Sequence, residues 1–223
     1  AQNTEGVFGV LPIPPDFIRQ QIEVVLDDLG ADALKTGMLH DAAVIETVLA
    51  VITERAAGVP LVVDPVMVAK GGAPLIEEGA IGALKRLLVP KAAVLTPNLP
   101  EAEILAGRRI GDLAAMREAA TELLGLGCRA VLLKGGHLPG ATVYDVLATA
   151  SGLRVWDSPR IDSRHTHGTG CTLASGIAAG LAQGLPIEPA VERARAFVQR
   201  AIASAPGFGR GHGPLDHAHP LKG

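Results

Sequence analysis

The sequence has few aromatic residues, few cysteines and no excess of positive charge. Phe, Trp and Tyr make up 3% of the 223 residues, so the core must be built from aliphatic side chains. Two cysteines are too few for a disulfide framework or a paired-cysteine metal site, which favours a reducing, cytoplasmic location. With 20 basic and 23 acidic residues the net charge is −3, so we expect no nucleic-acid partner.

Long hydrophobic runs and two common signals are also missing. The longest weakly polar stretch, residues 173–182, is far shorter than the roughly 20 residues that span a bilayer, so we expect no membrane partner. The chain begins at Ala1 without a signal segment, and we expect it to be a fragment. No Gly-Lys-Ser or Gly-Lys-Thr completes a Walker A motif, which excludes that type of phosphate-binding loop.

The residues that are abundant indicate a folded α/β protein. Hydrophobic residues make up 48% of the chain, enough for a core, while 27 glycines and 16 prolines predict short elements separated by turns. Short apolar strands alternate with helices, which predicts one domain over residues 1–223 with a mainly parallel sheet covered on both faces. Extended runs at 143–149 and 153–157 predict a hairpin, after which we expect the sheet to resume. Residues 206–223 predict an irregular tail.

Polar residues follow the predicted strands directly. Lys35, Asp64, Asn98 and Lys134 each stand at or just after the end of a short apolar run. Ligands of open parallel sheets bind outside the carboxyl ends of the strands, because loops and helix N-termini converge there. We therefore expect these four side chains to lie near one site.

The segment His165-Thr166-His167-Gly168-Thr169-Gly170-Cys171-Thr172 precedes a helix of small residues. Its glycines allow backbone N–H groups to point at one centre, and the helix dipole adds positive potential, which favours a bound phosphate or a developing oxyanion. The alternative is a tight turn that needs glycine for packing alone. At this helix N-terminus we expect the pKa of Cys171 to be lowered, whereas we predict Cys128 to be a buried small apolar residue.

Asp64, Asn98 and Glu101 supply the oxygen atoms that a magnesium–phosphate site needs. The alternatives are local: Asp64 as a strand-end cap, and Asn98 with Glu101 as the two members of a helix capping box. Lys134, followed by two glycines, fits a phosphate contact, and a solvated lysine is its alternative. The histidines of the flexible tail are poor candidates for a zinc site, because they lack rigid supporting elements.

Six motifs in order make the chain resemble the hydroxymethylpyrimidine and phosphomethylpyrimidine kinases of thiamine biosynthesis, in the ribokinase-like superfamily. The motifs are Ala1-Gln2-Asn3-Thr4, Lys35-Thr36-Gly37-Met38-Leu39, Asp64-Pro65-Val66-Met67, residues 96–103, residues 133–137 and residues 166–172. The resemblance covers essentially the whole chain. It implies a ribokinase-like α/β fold, ATP and Mg²⁺ as cofactors, and phosphorylation of the pyrimidine alcohol and then of its monophosphate.

The resemblance also implies roles for single residues. Gln2 would hydrogen-bond the aminopyrimidine and Met38 would line its pocket, while Asn98 and Glu101 would organise magnesium.

On the nucleotide side, Lys134, Thr169 and Asp64 would serve the bound ATP. The resemblance makes Gly168, Gly170 and Cys171 the catalytic anion hole, with Cys171 where related sugar kinases carry an aspartate.

One departure and two alternatives remain at this point. Family members carry a first strand and a glycine-rich segment ahead of the Gln2 motif, and we expect that segment to be missing here. A homodimer is expected by resemblance only. The alternatives are a pyridoxine or pyridoxal kinase of the same superfamily, and a pyrimidine- or nucleotide-binding module without catalysis.

Overall fold

The computed structural model describes residues 1–67 and 76–222. The last residue of the expected tail, Gly223, therefore lies outside the described residues. Six strands form one sheet in the order β1-β2-β3-β4-β5-β6. The strands are β1 (Leu34–Thr36), β2 (Leu61–Val63), β3 (Val94–Leu95), β4 (Ala130–Lys134), β5 (Thr142–Thr149) and β6 (Gly152–Pro159).

The first four strands are parallel, and β5 and β6 are antiparallel to their neighbours. Seven α-helices accompany them: α1 (Pro15–Asp28), α2 (Ala42–Arg55), α3 (Glu78–Ala83), α4 (Leu99–Ala106), α5 (Leu113–Leu124), α6 (Thr169–Ala182) and α7 (Ile187–Ala203). A π-helical turn, Leu84–Leu88, and a 3₁₀ turn, Val89–Lys91, continue α3. None of the helices in the described part is long and apolar enough to cross a membrane.

Helices cover both faces of the sheet, as expected. Leu61 and Val63 of β2 point into a core shared with α2, α3, α4 and α5, whereas Val62 between them packs with α6 and α7. Because successive side chains of a strand alternate between faces, a strand buried on both sides reads as a continuous apolar run. This is why Leu61-Val62-Val63 is recognisable as a strand in the sequence.

Local signals explain where several helices start. Asp41 caps α2 by accepting a hydrogen bond from Val44 N at 2.8 Å, and Asp112 caps α5 in the same way through Ala115 N. A carboxylate at this position satisfies a backbone N–H that has no partner within the helix. An aspartate directly before an apolar periodic stretch therefore marks the start of each of these two helices in the sequence.

The expectation that the sheet resumes after the hairpin is wrong. β5 pairs along its length with β4, so the hairpin is itself part of the sheet and β6 forms its edge. A two-stranded hairpin is rarely stable alone in water, and pairing with β4 gives it a third strand and a buried face. Only helices and the tail follow β6 in the described residues.

The tail over residues 206–222 is irregular, as predicted, but it is packed against the protein. Its only helical turn among the described residues is the 3₁₀ turn His219–Leu221. Leu215 and Asp216 are buried, and Asp216 N donates to Ala201 O of α7 at 3.0 Å.

Candidate active site

The carboxyl ends of β1 to β4 bring the predicted polar residues together. Asp64, directly after β2, lies between Lys35 of the adjacent strand β1 and Lys134 of β4, two strands away. Lys134 Nζ donates to Asp64 Oδ1 at 3.0 Å, and Lys35 Nζ lies 3.8 Å from Asp64 Oδ2. Thr96 Oγ1 donates to the same carboxylate at 3.2 Å.

Asp64 is only 3% exposed, so its charge needs these partners. The charges of Lys35 and Lys134 together exceed that of Asp64, and the nearby Glu101 carboxyl, whose pKa is raised to about 7, cancels only part of this surplus of positive charge. Such a surplus attracts anions such as the phosphates of a nucleotide.

The glycine-rich segment places the start of α6 against this charged group. Gly168 is the N-cap and has a φ of 82°, in the left-handed region that favours glycine. A Cβ atom at Gly170 would lie 3.0 Å from Lys134 Nζ and 3.9 Å from Asp64 Oδ2. No side chain caps the helix. Thr169 N donates to Thr166 O at 3.4 Å, whereas the N–H groups of Gly170 and Cys171 have no backbone partner among the described residues and can face an anion. This geometry favours the anion hole over a turn required by packing alone.

Cys171 also lies in the first turn of α6, but the expected direction of its pKa shift is wrong. Partial desolvation and the neighbouring Asp64 carboxylate raise the pKa of Cys171. The charges of Lys35 and Lys134 oppose this rise without reversing it. The thiol is therefore the resting form at neutral pH. Cys128 is buried as predicted, and burial raises its pKa to about 11.

Asn98 and Glu101 form the capping box of α4. Glu101 N donates to Asn98 Oδ1 at 2.9 Å, and Asn98 N donates to Glu101 Oε2 at 2.8 Å. The helix-capping alternative is therefore confirmed for both residues. Desolvation raises the pKa of Glu101 to about 7, partly offset by the Lys134 cation and by backbone hydrogen bonds from Asn98 and Met67.

Capping does not exclude a metal role for this pair. Among the described residues, no group of three or more His, Cys, Asp or Glu side chains could hold a metal ion alone. Magnesium usually keeps several waters and takes only one or two carboxylates plus substrate phosphates, so the oxygens of Asp64, Asn98 and Glu101 fit it. A divalent cation beside Glu101 would favour the ionised carboxylate.

A cavity of about 670 Å³ opens beside this cluster. Asn98, Lys134, Thr169, Gly170 and Val198 of α7 are among the residues that line it. The volume lies within the range typical of small-molecule sites. The cavity therefore has room for a nucleotide whose phosphates reach Lys134 and the start of α6.

Gln2 and Met38, the predicted pyrimidine-binding residues, lie outside this hydrogen-bonded cluster. Gln2 is exposed and pairs with Val7 in a β-bridge, which closes a hairpin at the start of the chain. Met38 is 39% exposed, three residues after Lys35. Both residues are accessible to a ligand.

Sequence reasoning missed Asp145 and Arg195, which join two walls of the cavity. Arg195 Nε of α7 donates to Asp145 Oδ2 of β5 at 2.7 Å, and Asp145 Oδ1 accepts from Gly135 N at 3.2 Å. Arg195 also stacks over Trp156, 5.4 Å from the ring centre. An acidic residue in a strand and a basic one in a helix carry no local signal of pairing. The Asp145 carboxylate thus fixes the backbone directly after Lys134.

Comparison with known proteins identifies the family. The family model for phosphomethylpyrimidine kinase matches residues 1–216. The hydroxymethylpyrimidine/phosphomethylpyrimidine kinase of Bacillus subtilis is 44% identical over 218 residues, covering 97% of this chain and 80% of that protein. The thiamine biosynthesis bifunctional protein ThiED of Geobacter sulfurreducens is 50% identical over 97% of this chain. The chain spans only 44% of the length of that relative.

Among solved structures, an ADP complex of Bacillus subtilis pyridoxal kinase superposes with a TM-score of 0.88 at 34% identity. The match covers 96% of this chain and 80% of the kinase, and it confirms the ribokinase-like fold. With residues 1–216 matched by the family model and near-complete coverage by the relatives, this chain belongs to the phosphomethylpyrimidine kinase family.

Proposed function

We propose that this chain transfers the γ-phosphoryl group of ATP to 4-amino-5-hydroxymethyl-2-methylpyrimidine and then to its monophosphate. The observation that carries the proposal is the position of Gly170, in the first turn of α6, against the Lys134–Asp64 ion pair beside the cavity. A lysine and free backbone N–H groups aimed at one point stabilise the charge of a transferring phosphoryl group.

Each predicted residue has a task in this reaction. Lys134 and Thr169 bind the nucleotide phosphates, and Asp64 holds Lys134 in place through its 3.0 Å hydrogen bond. Gly168 and Gly170 let the backbone approach the phosphoryl group closely.

Gln2 and Met38 bind the pyrimidine, and Cys171 faces the acceptor. Asn98 and Glu101 organise Mg²⁺, which when bound neutralises negative charge on the ATP phosphates.

The second candidate is a pyridoxal kinase, favoured by the superposition on the Bacillus subtilis enzyme of that name. Both candidates phosphorylate a hydroxymethyl group on a six-membered ring, so the strand-end residues serve either acceptor. The difference must come from the ring pocket.

The test is ADP release by the purified chain with MgATP and each acceptor: the pyrimidine alcohol, its monophosphate, pyridoxal and pyridoxine. We expect kcat/KM for the pyrimidine alcohol to exceed that for pyridoxal by at least about tenfold, since pocket contacts discriminate by this order. A preference for pyridoxal would establish the second candidate instead. ATP binding without turnover of any acceptor would indicate a non-catalytic module.

The proposal also covers the domain organisation, the cellular location and the oligomeric state of the chain. We take residues 1–223 as a single kinase domain, working in the cytoplasm, where Cys128 and Cys171 stay as free thiols. We also propose a homodimer. Eight of the 13 large apolar side chains exposed in the described part of the chain fall within residues 8–29, and such surfaces mark interaction sites.

A further inference from the structure

The C-terminal tail contacts the hairpin at the start of the chain. Thr4, two residues after Gln2, receives two hydrogen bonds from it: His212 N donates to Thr4 O at 2.7 Å, and Gly211 N donates to Thr4 Oγ1 at 3.2 Å. Arg210 adds an exposed ion pair with Glu5 at 3.2 Å.

The same short stretch of tail also contacts the segment that leads into α6. His167 N donates to Gly213 O at 3.1 Å, and the His212 ring lies 3.1 Å from Arg164 O. Further along, His217 Nε2 hydrogen-bonds Thr172 Oγ1 at 2.9 Å, next to Cys171. The tail therefore bridges the Gln2 hairpin and the glycine-rich segment, which are far apart in sequence.

Three alternating glycines make these contacts close. A Cβ atom at Gly209 would overlap the Thr4 side chain, and one at Gly211 would overlap the Thr4 carbonyl. A Cβ at Gly213 would overlap the His165 ring and the Phe208 carbonyl. The Gly-x-Gly-x-Gly spacing thus matches a surface with no room for side chains.

The hairpin has no core of its own. None of residues 1–14 is buried, and a two-stranded hairpin is marginally stable by itself in water. The tail is firmly anchored, because Leu215 is 3% exposed and Asp216 N is bound to α7.

We infer that residues 209–213 of the tail position the pyrimidine acceptor, by fixing the Gln2 hairpin relative to the glycine-rich start of α6. The inference rests on the proposed function, in which Gln2 binds the pyrimidine. Gly211 is then a positioning residue, because it acts on the pyrimidine through Thr4 and Gln2. A displaced Gln2 would lose its hydrogen bond to the ring, and the loss of one hydrogen bond weakens binding by up to about tenfold.

The test is Gly211→Ala, which adds one methyl group against the Thr4 backbone. Gly111→Ala is the matched control, since a Cβ there meets nothing within 4 Å in the part of the chain that the structure describes. We expect Gly211→Ala to raise the KM and the calorimetric Kd for the pyrimidine alcohol about tenfold, with the KM for ATP and kcat changed less than about twofold. The control should match the wild type.

Equal weakening of pyrimidine and ATP binding, or no change in either, would overturn the inference. Thr4→Val, which removes only the hydroxyl acceptor of the Gly211 N–H, serves as a milder variant if Gly211→Ala does not fold.

Hydrogen exchange of residues 1–9 provides a readout without substrate. We expect faster exchange there in Gly211→Ala than in the wild type, and equal exchange would contradict the tie between tail and hairpin. A wild type that binds no pyrimidine would contradict the proposed function. Faster hydrogen exchange of residues 1–9 in Gly211→Ala would then still support the contact between the tail and the hairpin.

Discussion

Gly170 is the residue at which we expect an added side chain to lower activity strongly while the protein stays folded. We expect Gly170→Val to lower kcat by about 10²–10³-fold, because its Cβ would lie 3.0 Å from Lys134 Nζ and its branches would block the approach of phosphate to the backbone. The fold should persist, since φ of Gly170 is not in the left-handed region. Steady-state kinetics and thermal unfolding measure the two effects.

Gly79→Val is the matched control for Gly170→Val. Gly79 holds the same second position in α3, and a Cβ there meets nothing within 4 Å among the described residues. Full activity of a folded Gly170→Val variant would remove the case for an anion hole.

Cys171 offers a pH test at the same scale. Since its pKa is raised from an ordinary value of 9.0, the thiolate is the minor form at pH 7 and its fraction grows about tenfold per pH unit below that pKa. If Cys171 is the base, the single-turnover rate with the pyrimidine alcohol should rise with pH in the wild type and stay flat in Cys171→Ala.

The monophosphate acceptor provides the internal control for Cys171. Its second pKa is about 6, so it arrives mostly deprotonated and needs no base. We therefore expect Cys171→Ala to slow the first phosphorylation more than the second. Equal losses with both acceptors would mean that Cys171 shapes the anion hole only.

At the scale of elements, we expect Glu101 at the start of α4 to have two roles, in capping the helix and in organising Mg²⁺. Glu101→Gln keeps an oxygen that can accept from Asn98 N, but it removes the negative charge. We expect the Mg²⁺ concentration for half-maximal rate to rise about tenfold, as when other groups around a metal are altered, with the melting temperature within about 4 °C of wild type.

Glu103→Gln is the control for Glu101→Gln on the same helix. Its carboxylate binds Ile110 N and Arg109 instead of the site. An unchanged magnesium requirement in Glu101→Gln would leave Glu101 with its capping role alone.

At the scale of the whole molecule, the apolar surface of residues 8–29 predicts self-association. Phe17 is 53% and Val25 50% exposed on α1, which has no buried residue. We expect Phe17→Glu with Val25→Glu to shift a dimer to monomers in light scattering, because two charges would be buried without partners. Leu153→Glu, on the exposed part of β6, should leave the dimer intact. A wild-type monomer at all concentrations would contradict the homodimer.

Most elements and much of the site could be predicted from the sequence, because their signals are local. Strand β4, Ala130–Lys134, is recognisable in the sequence, since a strand buried on both faces is a continuous apolar run. The capping box of Asn98 and Glu101 needs only a spacing of three residues. Lys134 and Asp64 were predicted near each other because the carboxyl ends of parallel strands share one edge.

The tertiary structure alone decided the features that depend on distant partners and on solvent exclusion. Asp145 and Arg195 are 50 residues apart, and only the folding of α7 over β5 makes them a pair. The pKa of Cys171 rises because folding removes water and brings the Asp64 carboxylate to the thiol, which the helix N-terminus by itself does not reveal. In the sequence, the glycines at 209, 211 and 213 suggest a flexible tail. In the structure they lie in close contact with neighbouring segments. The lack of a side chain allows backbone flexibility as well as close packing, so the sequence does not distinguish the two.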